Sequence, residues 1–126
     1  MVSTPGATLS VQCFTNAVDD ETLGPWIDVR GRANIVFYLS GVGTTSSGVV
    51  TFEEAAPKDF GSSTNPVVFG ASSGDYSSIT TNNASDVSAG KQKAIHITVA
   101  AYCFVRARIS TVIGGGGSVS CGCVAY

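Results

Sequence analysis

Apolar and polar residues alternate with a period of two along much of this chain, the spacing of strands that bury one face. In residues 7–16 (ATLSVQCFTN), Leu9, Val11 and Cys13 alternate with Ser10, Gln12 and Phe14. The longest alternating stretch lies within residues 94–113 (AIHITVAAYCFVRARISTVI). There Ile95, Ile97, Val99, Ala101, Cys103, Val105, Ala107 and Ile109 share one face, and His96, Thr98, Ala100, Tyr102, Phe104, Arg106 and Arg108 share the other. Unbroken from Ile95 to Ile109 it would span about 50 Å, longer than globular strands usually run. A bulge or bend near Ala100 and Ala101, or projection beyond the body, is therefore expected. Residues 33–40 (ANIVFYLS) are apolar on both faces, which predicts a central strand covered on both sides or lying at a subunit contact. Shorter strands are predicted at 26–29, 49–53 (VVTFE), 66–70 (PVVFG) and, weakly, 76–80. The chain closes on a strand within 118–126, with Val119, Cys121, Cys123 and Ala125 on one face.

Turn chemistry separates these runs. An acidic turn occupies the region from Ala17 to the Gly24-Pro25 punctuation, and Arg30-Gly31-Arg32 makes a second turn. The small-residue loop 41–48 (GVGTTSSG) suits a hairpin into the strand at 49–53. Residues 55–65 look irregular. The Ser-, Asn- and Gly-rich stretch 71–90 reads as a long surface loop or an excursion that meets a partner. The glycine tetrad 114–117 turns the chain into its last strand; as a hairpin it would bring Cys103 and Cys121 onto adjoining strands. Val, Ile, Thr, Phe, Tyr and Trp number 46 against 16 for Leu, Met, Glu, Lys, Arg and Gln, so strands rather than helices are favoured. The prediction is one domain over residues 1–126: an all-β, antiparallel, jelly-roll-like β-sandwich of about seven or eight strands without helix.

Charge narrows the partners. A formal net charge of −2 gives no basic field to hold nucleic acid. No apolar run reaches the ~20 residues of a membrane helix. The opening MVSTPGATLS has neither a positive n-region nor an apolar h-region, so no secretory signal is expected there.

Candidate chemistry is sparse. Cys121-Gly122-Cys123 lacks the knuckle spacing of a structural zinc site, and the cysteines read as small buried side chains. His96, the sole histidine, has no nucleophile motif to serve and reads as an outward strand residue. Glu53 and Glu54 point to opposite faces of a strand, which predicts a solvated strand end rather than a carboxylate pair. Asp19, Asp20 and Glu21 are contiguous, unlike the alternating ligands of a calcium loop, and read as an exposed loop. No metal, cofactor or catalytic residue is expected, and enzymatic activity is not. The stripe Tyr102, Phe104, Arg106 and Arg108 has the composition of an interface core, and its guanidiniums suit carboxylates of a partner; a solvated sheet face is the alternative.

The run WIDVRGRANIVFYL, followed by GVGTTSSGVVTFEEA, resembles small structural proteins of tailed-bacteriophage virions, and the ending YCFVRARISTVIGGGGSVSCGCVAY is similar to their closing β-hairpin. The likeness covers residues 26–54 and 95–126. It implies a capsid cement or decoration protein at the capsid surface, assembled in the host cytoplasm, with the major capsid protein and sister copies as partners. A receptor- or carbohydrate-binding tail fibre or spike, or a head–tail component, is the alternative. On this reading Tyr102, Phe104, Arg106, Arg108, Asp19, Asp20 and Glu21 are the contact candidates.

Overall fold

The computed structural model describes residues 8–55, 77–98 and 104–126. Eight strands are found there: β1 (Leu9–Ala17), β2 (Ile27–Asp28), β3 (Ile35–Val42), β4 (Ser47–Ala55), β5 (Ser77–Asn83), β6 (Gln92–Ile97), β7 (Phe104–Gly114) and β8 (Ser118–Ala125). They form two four-stranded antiparallel sheets, ordered β1-β8-β3-β6 and β2-β7-β4-β5. The all-β sandwich predicted from the alternation is what the chain adopts. The expected strand at 66–70, the bend near Ala100 and Ala101, Tyr102 and Cys103 lie outside the described residues.

Alternation holds where the core demands it. Ile35, Phe37 and Leu39 of β3, Val50 and Phe52 of β4, Val105, Ala107 and Ile109 of β7, and Val119, Cys121, Cys123 and Ala125 of β8 form one buried cluster. The Phe37 and Phe52 rings meet across the two sheets with centroids 4.7 Å apart, within the range of a favourable aromatic pair. β3 is central, between β8 and β6, as its apolar sequence requires. In β1 a bulge breaks the period: the register shifts between Gln12 and Phe14, and Cys13 and Phe14 are both buried. Phe14 had been expected on the polar face; the extra residue turns it inward.

Three expectations are corrected. The loop 41–48 is not a hairpin, because β3 and β4 belong to different sheets. The tetrad 114–117 likewise carries the chain from β7 in one sheet to β8 in the other. The stretch 94–113 is not one strand: β6 and β7 pair in opposite sheets. Local glycine content announces a reversal but does not say whether the returning strand pairs with its neighbour or crosses the sandwich.

Both glycine-rich arches sit at one end and are bonded together, Ser46 N to Gly114 O at 2.9 Å and Gly117 N to Thr44 O at 2.7 Å. Gly115 and Gly116 have φ of +103° and +90°, a region that side chains disfavour. The sequence also missed a 3₁₀ segment, Ala84–Gly90, within the stretch expected to be loop. It closes the same end: Val87 is fully buried, Thr45 Oγ1 donates to Ala84 O at 2.6 Å, and Ala89 N donates to Gly43 O at 2.9 Å.

Gly41 in β3 lies against this segment so closely that an added Cβ would collide with the Val87 carbonyl. Gly41→Ala is therefore expected to destabilise the protein by about 1–3 kcal/mol in urea unfolding. An unchanged midpoint would contradict the seating of the 3₁₀ segment on β3.

Candidate functional site

Charge gathers on the outer face of the β2-β7-β4-β5 sheet. Register explains why. Along β7 the residues facing away from the core are Phe104, Arg106, Arg108 and Ser110; opposite them on β4 stand Ala55 beside Phe104, Glu53 beside Arg106 and Thr51 beside Arg108. One carboxylate thus lies between two guanidiniums. Arg106 Nε donates to Glu53 Oε1 at 2.8 Å, and Arg108 Nε lies 3.0 Å from Glu53 Oε2. The Arg106 guanidinium also stacks 4.5 Å from the centre of the Trp26 ring. Beyond the arginines, Thr51 Oγ1 donates to Ser110 Oγ at 2.6 Å.

Burial gives this cluster its character. Glu53 is 1% exposed, Arg106 8% and Phe104 not at all. A carboxylate removed from water needs compensation on both oxygens, and two arginines supply it. The expectation that Glu53 is a solvated strand end is overturned: one acid in VVTFEEA and the two arginines in FVRAR stand on paired strands and form ion pairs. Of the stripe expected to meet a partner, Tyr102 lies outside the described residues. Phe104 and Arg106 are enclosed within the chain, and Arg108 keeps partial exposure. One signal could have found this: opposite charges embedded in two otherwise apolar strands are most cheaply buried against each other.

A second ion pair continues the face. Arg30 grips Asp28 at 2.9 and 2.7 Å, its backbone N–H also donates to Asp28 Oδ1 at 3.0 Å, and its guanidinium lies 5.2 Å from the centre of the Phe104 ring. Burial pushes the Asp28 carboxyl up, but hydrogen bonds from Arg30 and the charges of Arg30 and Arg32 outweigh it and hold the carboxyl below its ordinary value. Hydrogen bonding to Asp28 raises Arg30 correspondingly.

The cysteines behave as core residues. Cys13, Cys121 and Cys123 are buried free thiols. The bulge in β1 brings Cys13 beside Cys121. Their thiol–thiol hydrogen bond favours the Cys13 thiolate against the opposing effect of burial, and raises Cys121. Burial pushes Cys123 up to about 12, so that thiol stays protonated and unreactive at neutral pH. Among the described residues no group of three His, Cys, Asp or Glu side chains is placed to hold a metal ion. His96 is exposed on β6, opposite Val36, as expected of an outward strand residue.

Asp19, Asp20 and Glu21 are exposed at a turn, as expected. Asp19 O accepts from Thr22 N at 3.0 Å and Asp19 Oδ1 from Glu21 N at 3.0 Å, which closes a tight turn. The flanks run beside β7: Ile113 N donates to Val18 O at 2.9 Å, Ile109 N to Thr22 O at 3.1 Å, and Gly24 N to Ala107 O at 2.8 Å. Three acids therefore stand on a turn fixed to the sheet edge. Apolar side chains flank them in the open: Leu23 is 58% exposed, and Val18 and Val112 are also exposed.

Glu53→Gln removes the charge that compensates Arg106 and Arg108 and keeps the shape. It is expected to cost about 3–5 kcal/mol in chemical denaturation, the scale for breaking a buried pair. A cost below about 1 kcal/mol, typical of exposed pairs, would contradict the burial described.

No protein-family model matches the chain, and no curated protein matches it.

Proposed function

We propose that this protein is a non-enzymatic structural subunit of a tailed-bacteriophage virion, a cement protein that binds the assembled lattice of the major capsid protein. The observation that carries this reading is the edge formed by the Asp19–Asp20–Glu21 turn. It is acidic, rimmed by exposed Val18, Leu23 and Val112, and held to β7 by backbone hydrogen bonds. A preformed edge of this kind loses little entropy on docking, and its apolar rim gains by being covered. The acids suit a basic strip on the partner. The ionic cluster around Glu53 supports the same reading: it is spent inside the molecule, where it braces the sheet.

A cement protein acts by linkage. Binding the assembled shell better than its dissociated subunits stabilises the shell by an amount that rises with occupancy. Many symmetry-related copies add up contacts that are individually weak. A groove on the outer face of the β1-β8-β3-β6 sheet, beside the half-exposed Tyr38, favours the second reading, a receptor-binding component of a fibre or spike.

The test is to saturate undecorated capsids with purified protein and heat them. The capsid melting temperature is expected to rise, and the triple substitution Asp19→Lys, Asp20→Lys, Glu21→Lys is expected to weaken co-sedimentation at least tenfold. An unchanged melting temperature at full occupancy, or unchanged binding by the triple variant, would overturn the cement role through this edge.

A further inference from the structure

The outer face of the β1-β8-β3-β6 sheet holds a groove of about 310 Å³, lined chiefly by Gln12, Tyr38, Ser40, Gln92, Ser120 and Gly122. We propose that it binds a neutral sugar residue, with the Tyr38 ring as stacking platform and the amides and hydroxyls around it as hydrogen-bonding partners. The assignment does not rest on the virion reading.

The register builds the groove. One row across the sheet runs Gln12, Gly122, Tyr38, Ala94, and the next row carries Ser120, Ser40 and Gln92. Strands lie about 4.8 Å apart, so Gln12 and Tyr38 flank Gly122 at a backbone separation of roughly 10 Å, wide enough for a pyranose ring. Gly122 makes the floor. Its φ is not positive, and an added Cβ would meet nothing closer than Val11 O at 3.6 Å, an ordinary contact. The fold therefore does not require glycine here, although glycine weakens a strand interior. Such a position marks a bulge, here the one in β1 opposite it, or close approach by another molecule.

The walls have the matching chemistry. Tyr38 is 50% exposed in the middle of an otherwise buried strand segment. An aromatic face left in water beside a hollow suits the apolar C–H face of a sugar ring, which sheds water on stacking. Gln12 is already oriented: its Nε2 donates to Phe14 O at 3.0 Å and Cys121 O at 3.2 Å, across the β1 bulge. With both amide hydrogens used, Oε1 is left to accept from a sugar hydroxyl. Ser40 and Gln92 add a hydroxyl and an amide. Among the described residues, none that lines the groove carries a carboxylate, ammonium or guanidinium. Of the two lysines beside Gln92, Lys93 is paired at 3.2 Å with Asp86 and Lys91 is exposed; neither lines the groove. The groove thus selects a neutral, hydroxyl-rich ring over an anionic one.

The experiment is a screen of the full chain against immobilised neutral and anionic oligosaccharides, followed by an NMR titration with the best neutral trisaccharide. Binding of at least one neutral oligosaccharide is expected, with shifts centred on Tyr38 and Gly122. Tyr38→Ala is expected to weaken it roughly tenfold, the size of a lost aromatic contact, while Tyr38→Trp retains it. Gly122→Val fills the floor in a strand-favouring way, so it is expected to abolish binding while thermal stability is kept. Binding confined to anionic glycans, binding to none at about 1 mM ligand, or binding that survives both Tyr38→Ala and Gly122→Val would overturn the assignment. So would neutral binding with shifts mapping elsewhere.

Discussion

Among the described strands, nearly every connection between consecutive ones carries the chain from one sheet to the other; only β4 and β5 follow each other within a sheet. Each sheet is therefore held by strands distant in sequence, β1 with β8, β3 with β8 and β4 with β7. Neither sheet is a contiguous piece of chain that can form first and wait for the other. The inner layer must assemble together, around the contact of Phe37 and Phe52, and this makes the sandwich one interlocked body. Such topologies fold slowly, because loop closure precedes the contacts that reward it.

The interlocking has consequences on both outer faces. β7 gives its small and branched residues to the core and sends its arginines the other way, where β4 supplies the buried Glu53 to meet them. That face is consolidated by charge. On the other sheet, the inner positions of β3 and β8 fill the core while their outer positions leave Tyr38 beside Gly122. Around Tyr38 that face is exposed, and the described residues lining the groove there are uncharged. One molecule thus has an ionically braced back, a neutral aromatic groove on the opposite layer, and an acidic turn fixed along the edge of β7. A stiff body with distinct surfaces suits a protein that works by being held between others.

Much of this was legible residue by residue. The inward set Val105, Ala107, Ile109 and the inward set Val119, Cys121, Cys123, Ala125 follow from period-two alternation alone, and both hold. The turn at Arg30-Gly31-Arg32 appears where the sequence puts it, with Gly31 at φ +80°. Partnership was not legible. Alternation says which way a side chain points relative to its own strand, and nothing about which strand lies alongside. Thus Glu53 looked solvated until Arg106 stood opposite it, and the glycine arches looked like hairpins until their strands parted into different sheets. The bulge at Cys13 was hidden for a related reason: an inserted residue shows only against the partner's register.

The claim that the two sheets form a single cooperative unit is tested most directly by native-state hydrogen exchange. Amides of β3 and β8 in one sheet and of β4 and β7 in the other are expected to exchange only through global unfolding, with the same free energy and the same denaturant dependence. Protection that is lost in one sheet while the other stays protected would contradict it.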